Sequence, residues 1–162
     1  MKKTCNKKKL IFSLVIVIFI IFNAFWIIHH KMLFGKYERI TKDPSVPNAY
    51  ISPKGNLTFS VSKIKYLNFG GNLGVSNPEK GMYLIIWPHM YREFEYGFMI
   101  MTDNGTYNYY VDEYGELQNL EQLSNEDILL FESNKSELSF LISEYKEWKI
   151  AAEKGDKSYF FY

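Results

Sequence analysis

Cysteine is almost absent from this chain of 162 residues: the single thiol is Cys5, and residues 29–162 contain none. Those residues can form no disulfide bond and offer no thiol for catalysis or metal binding. Histidine is nearly as scarce, since His29 and His30 are adjacent and His89 stands alone. A zinc site takes three or four His, Cys or carboxylate ligands, so the sequence predicts no metal centre.

Signatures of common enzyme sites are missing as well. No serine stands in a G-x-S-x-G turn, and the loop GGNLG at residues 70–74 lacks the Lys-Ser/Thr of a phosphate-binding loop. We therefore expect no cofactor and no enzymatic activity. One catalytic alternative remains, in which His89 acts with Glu93 or Glu95. An alternating strand would place these two carboxylates on one face, about 6.5–7 Å apart.

The chain also lacks a strong charge of either sign. Its formal net charge is +1, from 19 basic and 18 acidic side chains. Five of the lysines lie in residues 1–9, which leaves 14 basic and 18 acidic side chains in the remainder. A nucleic-acid-binding surface would be basic, so we expect no nucleic-acid partner. The weakly acidic remainder suits a basic protein partner better.

A long apolar run is present at residues 10–28. It has nineteen residues and no charge, and fifteen of them are Leu, Ile, Val or Phe. As a helix it is about 28 Å long, close to the ~30 Å hydrocarbon core of a bilayer. Its apolar side chains favour insertion by about 5–9 kcal/mol. The sequence therefore predicts a transmembrane helix in contact with the lipid bilayer.

The flanks of this run indicate its orientation. Residues 1–9 carry five lysines and no acid, and lysine-rich flanks stay in the cytoplasm. Four basic residues follow the run within about fifteen residues, so the contrast is modest, but the lysine-rich tail lies directly against the membrane. We expect a cytoplasmic N-terminus and a domain outside the cytoplasm. The bias toward Lys, Asn, Ile and Tyr is typical of an AT-rich bacterial genome, which indicates a plasma membrane of a bacterial envelope.

A cleaved signal peptide is the alternative interpretation of the run. A cut after Ala24 would leave Phe22 where a small side chain is needed, and the apolar core is long for a signal peptide. We therefore expect the segment to be retained as a signal-anchor.

The rest of the chain divides into a linker and one domain. Three prolines in residues 29–56 predict an extended stalk, and residues 57–162 have room for a single domain. Leu57, Phe59 and Val61 alternate with polar residues, as in a half-buried strand. The continuous apolar run at 82–87 predicts a strand buried on both faces.

A hairpin is predicted around Asn104-Gly105, the preferred sequence of a type I′ turn. This turn would pair Ile100 with Tyr109 and Phe98 with Val111. Apolar side chains of both strands then share one face. Those side chains are Phe98, Ile100, Tyr107, Tyr109 and Val111.

The last third of the chain is predicted to be helical. Ser124 is placed to cap a short helix, and Asn134 to begin a longer one that reaches Lys154. An apolar stripe at helical spacing marks the longer helix as amphipathic. Its members are Leu138, Leu141, Ile142, Tyr145, Trp148 and Ala152. The expected fold is α+β: a transmembrane helix, an antiparallel β-meander and a packed C-terminal helix.

Two surfaces are candidates for binding a partner protein. The first is the connection that contains Trp87, His89, Tyr91 and Arg92, because Trp, Tyr and Arg commonly anchor interfaces. The second is the side of the hairpin that bears Met99, Met101 and Tyr110, if the helix covers the other side.

These features favour a membrane-anchored binding protein. One possible role is immunity or inhibition directed against an envelope-active toxin. The alternatives are a companion or sensor subunit of an envelope assembly, and the enzyme that would use His89.

Overall fold

The computed structural model describes residues 2–41, 48–63, 70–89, 94–118 and 120–160, with side chains in the first segment described from Lys7. These described residues form two long helices, six strands and three short 3-10 turns. The helices are α1 (Lys2–Ile40) and α2 (Asn125–Lys154). The strands are β1 (Ala49–Lys54), β2 (Leu57–Ser62), β3 (Leu73–Asn77), β4 (Met82–Pro88), β5 (Phe94–Thr102) and β6 (Gly105–Val111). The turns are Pro78–Lys80, Leu120–Gln122 and Lys157–Phe160.

The six strands form one open sheet in which every neighbour is also the next strand in the sequence. All five pairings are antiparallel. The predicted meander and the α+β class are therefore confirmed. The N-terminal helix is also long and apolar enough to cross a membrane.

One face of the sheet, which we call the closed face, is covered by α2 and by the C-terminal part of α1. Alternating side chains of the strands point into this layer, because successive residues of a strand face opposite ways. The fully buried members include Phe59, Val61, Leu73, Val75, Leu84, Ile86 and Phe98. Trp148 of α2 lies at the centre, with its ring centroid 4.9 Å from Tyr37 and 5.2 Å from Phe59.

The extended stalk predicted for residues 29–56 is wrong in the part that the structure describes. Helix α1 continues without a break to Ile40, and Phe34 and Tyr37 are fully buried against the domain. These residues recur at helical spacing, so they form an apolar stripe that docks on the closed face. Residues 49–54 form strand β1 and pair with β2. Of the predicted stalk, only residues 42–47, which include Pro44 and Pro47, lie outside the described residues.

The prediction of which hairpin side chains share a face is confirmed, but the predicted pairing of residues is wrong. Phe98 pairs with Tyr109 and Ile100 with Tyr107, two residues away from the predicted partners. The loop is Asp103-Asn104, and neither residue has a positive φ, so the type I′ turn is wrong. Instead, the backbone N–H of Asn104 donates to Thr102 Oγ1 at 3.2 Å.

The C-terminal region forms one helix rather than two. Ser124 is its N-cap and makes a reciprocal capping box with Asp127, as serine at this position favours. Asn134 begins no second helix; its side-chain amide donates to the Leu130 carbonyl at 2.8 Å within the same helix. The predicted stripe from Leu138 to Ala152 is buried, which confirms the amphipathic face.

Candidate functional site

The opposite side of the sheet, which we call the open face, carries most of its large apolar side chains on β4–β6, and on β1 it also bears Ile51. On β2 and β3 this face bears Ser60, Gly74 and Ser76, which are small. On β4, β5 and β6 it becomes bulky. The bulky residues are Tyr83, Ile85, Trp87, Met99, Met101 and Tyr110. We call these six the apolar patch.

The patch is partly accessible to solvent because both long helices pack on the closed face. Met101 is 48% exposed and Tyr110 is 59% exposed. Tyr83, Ile85, Trp87 and Met99 are half-buried. Aromatic and methionine side chains are the types enriched in protein–protein interfaces.

Trp87 lies flat across the sheet because the backbone beside it has no side chain. A Cβ atom added to Gly97 on the neighbouring strand would lie 2.5 Å from Cζ3 of the Trp87 ring. Gly97 sits between Ile85 and Tyr110 in the pairing of the three strands. The indole therefore fills the middle of the patch and joins its β4 and β6 sides.

His89 and Glu95 meet at one end of the open face. The pairing places Glu95 directly opposite Trp87, and His89 Nε2 lies 3.3 Å from Glu95 Oε1. Both side chains are partly exposed, at 30% and 46%. This contact brings the histidine within reach of a carboxylate, which is the first requirement of the catalytic alternative.

The structure unites two candidate surfaces that the sequence presents separately. Trp87, Met99, Met101 and Tyr110 share the open face, with His89 at its edge. Tyr91, Arg92 and Glu93 lie outside the described residues, so these three candidates stay predictions.

Sequence reasoning missed two members of the patch. Tyr83 and Ile85 alternate with Leu84 and Ile86 in β4, and this continuous apolar run predicts burial on both faces. Only Leu84 and Ile86 are buried, because the two long helices cover one side of the sheet. A strand with apolar residues on both faces, in an antiparallel meander, indicates that its second face is either covered by another layer or forms an apolar surface. This is the signal in β4 that could have identified Tyr83 and Ile85.

A polar cluster lies at the other end of the sheet, against α2. Glu137 accepts hydrogen bonds from Lys80 Nζ and, at 2.8 Å, from Asn77 Nδ2. Burial opposes ionisation, but these hydrogen bonds and the charge of Lys80 prevail and hold the pKa of Glu137 below its usual value. Lys54 pairs with Glu144 at 3.2 Å. Paired charges of this kind fasten α2 to the strand ends.

Lys54, Asn77 and Glu144 of this cluster also line a shallow cavity of about 440 Å³. Each of its two lysines, Lys54 and Lys80, is already paired with a glutamate. The cavity therefore offers no uncompensated lysine charge to a ligand.

Within the described part of the chain, no group of three or more His, Cys, Asp or Glu side chains is placed to bind a metal ion. Comparison with protein-family models, curated proteins and solved structures gives no match for this chain. The geometry of the open face therefore carries the functional argument.

Proposed function

We propose that this protein is a single-pass membrane protein that binds another protein through the apolar patch of its open face. Residues 10–28 of α1 cross the plasma membrane, the lysine-rich tail stays in the cytoplasm, and the domain stands outside it. The length and composition of α1 support the membrane span. The five tail lysines support the orientation.

The observation that carries this proposal is the contrast between β2–β3 and β4–β6 on the open face. Small residues suffice on β2 and β3, so the sheet does not need bulk on this side to fold. On β4–β6 the same face carries the apolar patch, with Met101 and Tyr110 about half exposed. Exposed apolar groups that are contiguous mark a binding surface, because each costs free energy in water.

Among binding roles, immunity or inhibition directed against an envelope-active toxin fits the small, cysteine-free, weakly acidic domain. A mild excess of acid outside the membrane favours encounter with a basic partner. This role makes a genetic prediction. Deleting the gene should be lethal only when a neighbouring toxin gene is intact, and deletion of both should restore growth.

A second candidate, a companion or sensor subunit, is favoured by the continuity of α1. This helix runs from the tail into the core of the domain, with Tyr37 against Trp148 and Lys36 paired to Glu153 at 3.1 Å. A tilt imposed on the domain by a partner would therefore be passed to the membrane segment. Purification in mild detergent separates the two roles. A companion stays in a stable membrane complex whether or not a toxin is present.

Site-specific photocrosslinking tests the binding surface. A benzophenone amino acid replaces Met101 or Tyr110 in the patch, and Phe140 or Ile150 on α2 as controls. Phe140 is 43% exposed and Ile150 is 50% exposed, so both controls are apolar and accessible. We expect one discrete adduct from the two patch positions and none from the controls. Equal patterns at all four positions would refute the proposed surface.

A reporter enzyme fused after Tyr162 tests the orientation independently. A periplasmic-type phosphatase should be active at this position and a cytoplasmic-type reporter inactive. The opposite result would place the domain in the cytoplasm and remove every envelope role.

A further inference from the structure

Side chains on one side of α1 become buried before the apolar run ends. Along one side of the helix, Asn23 is 1% exposed, His30 0%, Phe34 0% and Tyr37 0%. Their spacing of three, four and seven residues defines one stripe. N-terminal to Asn23 the large apolar side chains of the run are exposed, from Leu10 at 71% to Phe22 at 38%.

Gly71, two residues before β3, fixes the height of the sheet relative to this helix. A Cβ added to Gly71 would lie 2.1 Å from His30 Nε2, so the backbone there touches the imidazole ring. Helical side chains tilt toward the N-terminus, which places this ring level with the preceding turn, residues 26–29. The apolar run ends in that turn, at Ile28. Gly71 is therefore level with the boundary between hydrocarbon and headgroups.

Two contacts of α1 lie at the same end of the sheet. His30 meets Gly71, and Phe34 stacks at 6.1 Å on Phe94, which is at this end because Leu73 pairs with Ile86 and Pro88 with Phe94. Further along α1, Tyr37 contacts Trp148, which packs on Phe59 nearer the middle of the sheet. One end of the sheet, with Ser62 and Asn72, thus points at the membrane. The loop between β5 and β6 lies at the other end, about 26 Å away along β5.

The length of the apolar run limits how α1 can be positioned across the bilayer. From Asn23 to Ile28 the helix rises about 8 Å, and residues 10–22 alone span only about 20 Å. A hydrocarbon core of ~30 Å needs the whole run. The bilayer must then extend to Ile28, which is level with the His30 ring that touches Gly71.

We propose that the end of the sheet next to Gly71 is seated in the headgroup layer of the outer leaflet, so that the lipid surface itself is a second partner of this domain. The inference rests on the proposed membrane span. It makes α1 and the sheet one upright unit, with the open face directed sideways. The apolar patch then faces a neighbour standing in the same membrane, not a ligand arriving from above.

Spin-label depth measurements on the full chain in phosphatidylcholine/phosphatidylglycerol vesicles test this seating. Cys5→Ser removes the native thiol, and single cysteines replace Gly70 or Asn48 at the proposed membrane end. Asn104 and Glu79 serve as controls at the far end, and all four positions are exposed. Val17 in the apolar run reports the span itself. Near-ultraviolet circular dichroism of each labelled variant verifies the fold.

We expect labels at positions 70 and 48 to show a several-fold higher ratio of oxygen to nickel-chelate collision rates than labels at 104 and 79. If Val17 reports lipid while all four domain labels report water, the seating is wrong and the membrane span stands. If Val17 reports water as well, the span and the seating both fall.

Discussion

The closed face and the open face of the sheet differ in how far their large side chains are buried. On the closed face the strands' large side chains belong to the core with α1 and α2, and Trp148, Phe59 and Tyr37 form a continuous aromatic cluster. On the open face the patch residues are as large, yet Met101 and Tyr110 stay about half exposed. Burial explains the first set through folding stability. The second set calls for a reason outside the folded monomer, and we infer a binding partner.

The largest expected effect is on the closed face. Trp148→Ala removes the ring at the centre of the aromatic cluster and leaves a cavity between α1, α2 and the sheet. We expect a loss of about 3–5 kcal/mol in the free energy of unfolding. Denaturant unfolding of the detergent-solubilised chain, followed by near-ultraviolet circular dichroism, measures it. A loss below about 1 kcal/mol would mean that α2 is not docked as described.

Two glycine-to-alanine substitutions compare the closed face and the open face directly, because on each face the added methyl group meets a side-chain ring. In Gly71→Ala the methyl group meets the fully buried His30, which has no room to shift. We expect a loss of about 1–3 kcal/mol. In Gly97→Ala it meets the far end of the half-exposed Trp87 ring, which can swing into solvent. Stability should change little, while crosslinking from Tyr110 should fall.

Gly35→Ala is the matched control for these glycine variants. Gly35 lies within α1, and a Cβ there meets nothing within 4 Å. Since alanine favours a helix by about 1 kcal/mol over glycine, this variant should be slightly more stable than the parent. If Gly35→Ala destabilised the chain as much as Gly71→Ala, the clash with His30 would not be the cause.

Replacing exposed residues of the patch should weaken partner binding and leave folding stability nearly unchanged. In Met101→Ser combined with Tyr110→Ser, two exposed side chains lose their apolar area without opening a core cavity. We expect the free energy of unfolding to stay within about 0.5 kcal/mol of the parent. Partner capture should fall at least tenfold if these residues anchor the interface. Unchanged capture would assign the interface to another surface.

The smallest effect concerns pH. The pKa of Glu137 is held below its usual value of 4.5 in the folded protein, so its ionised form stabilises the fold. That contribution is complete above about pH 4.5 and is lost as the pH falls through the lower pKa of the folded state. Glu137→Gln should remove this part of the acid dependence. Parallel unfolding curves of parent and variant between pH 6 and about 3 provide the measurement.

The sequence predicts those features of the molecule that depend on residues close together in the chain. The helix over the apolar run, the cap at Ser124 and the stripe on α2 are local features, and each is confirmed. The hairpin shows the limit. Pairing Ile100 with Tyr107 or with Tyr109 puts the same side chains on the same face, so alternation cannot choose between registers two residues apart. The preference of Asn-Gly for one turn type was outweighed by pairing across the sheet.

Long-range contacts account for the remaining errors. Phe34 and Tyr37 stand among charged residues, and their partners, Phe94 and Trp148, are 60 and 111 positions away, so the local pattern predicts a stalk. The sequence pattern places Trp87 and Met99 on separate surfaces for the same reason. They share a face because β4 pairs with β5, and that pairing fixes which side of each strand points toward α2.

Labelling of intact cells with a membrane-impermeant maleimide tests the central claim most directly. Cys5→Ser chains carry one new cysteine, at Met101 in the patch or at Leu129 on α2, which is 69% exposed. We predict rapid labelling at 129 in intact cells, and labelling at 101 only after the protein is purified away from its partner. Equal labelling at both positions in intact cells, or labelling at neither until lysis, would contradict an occupied open face outside the cytoplasm.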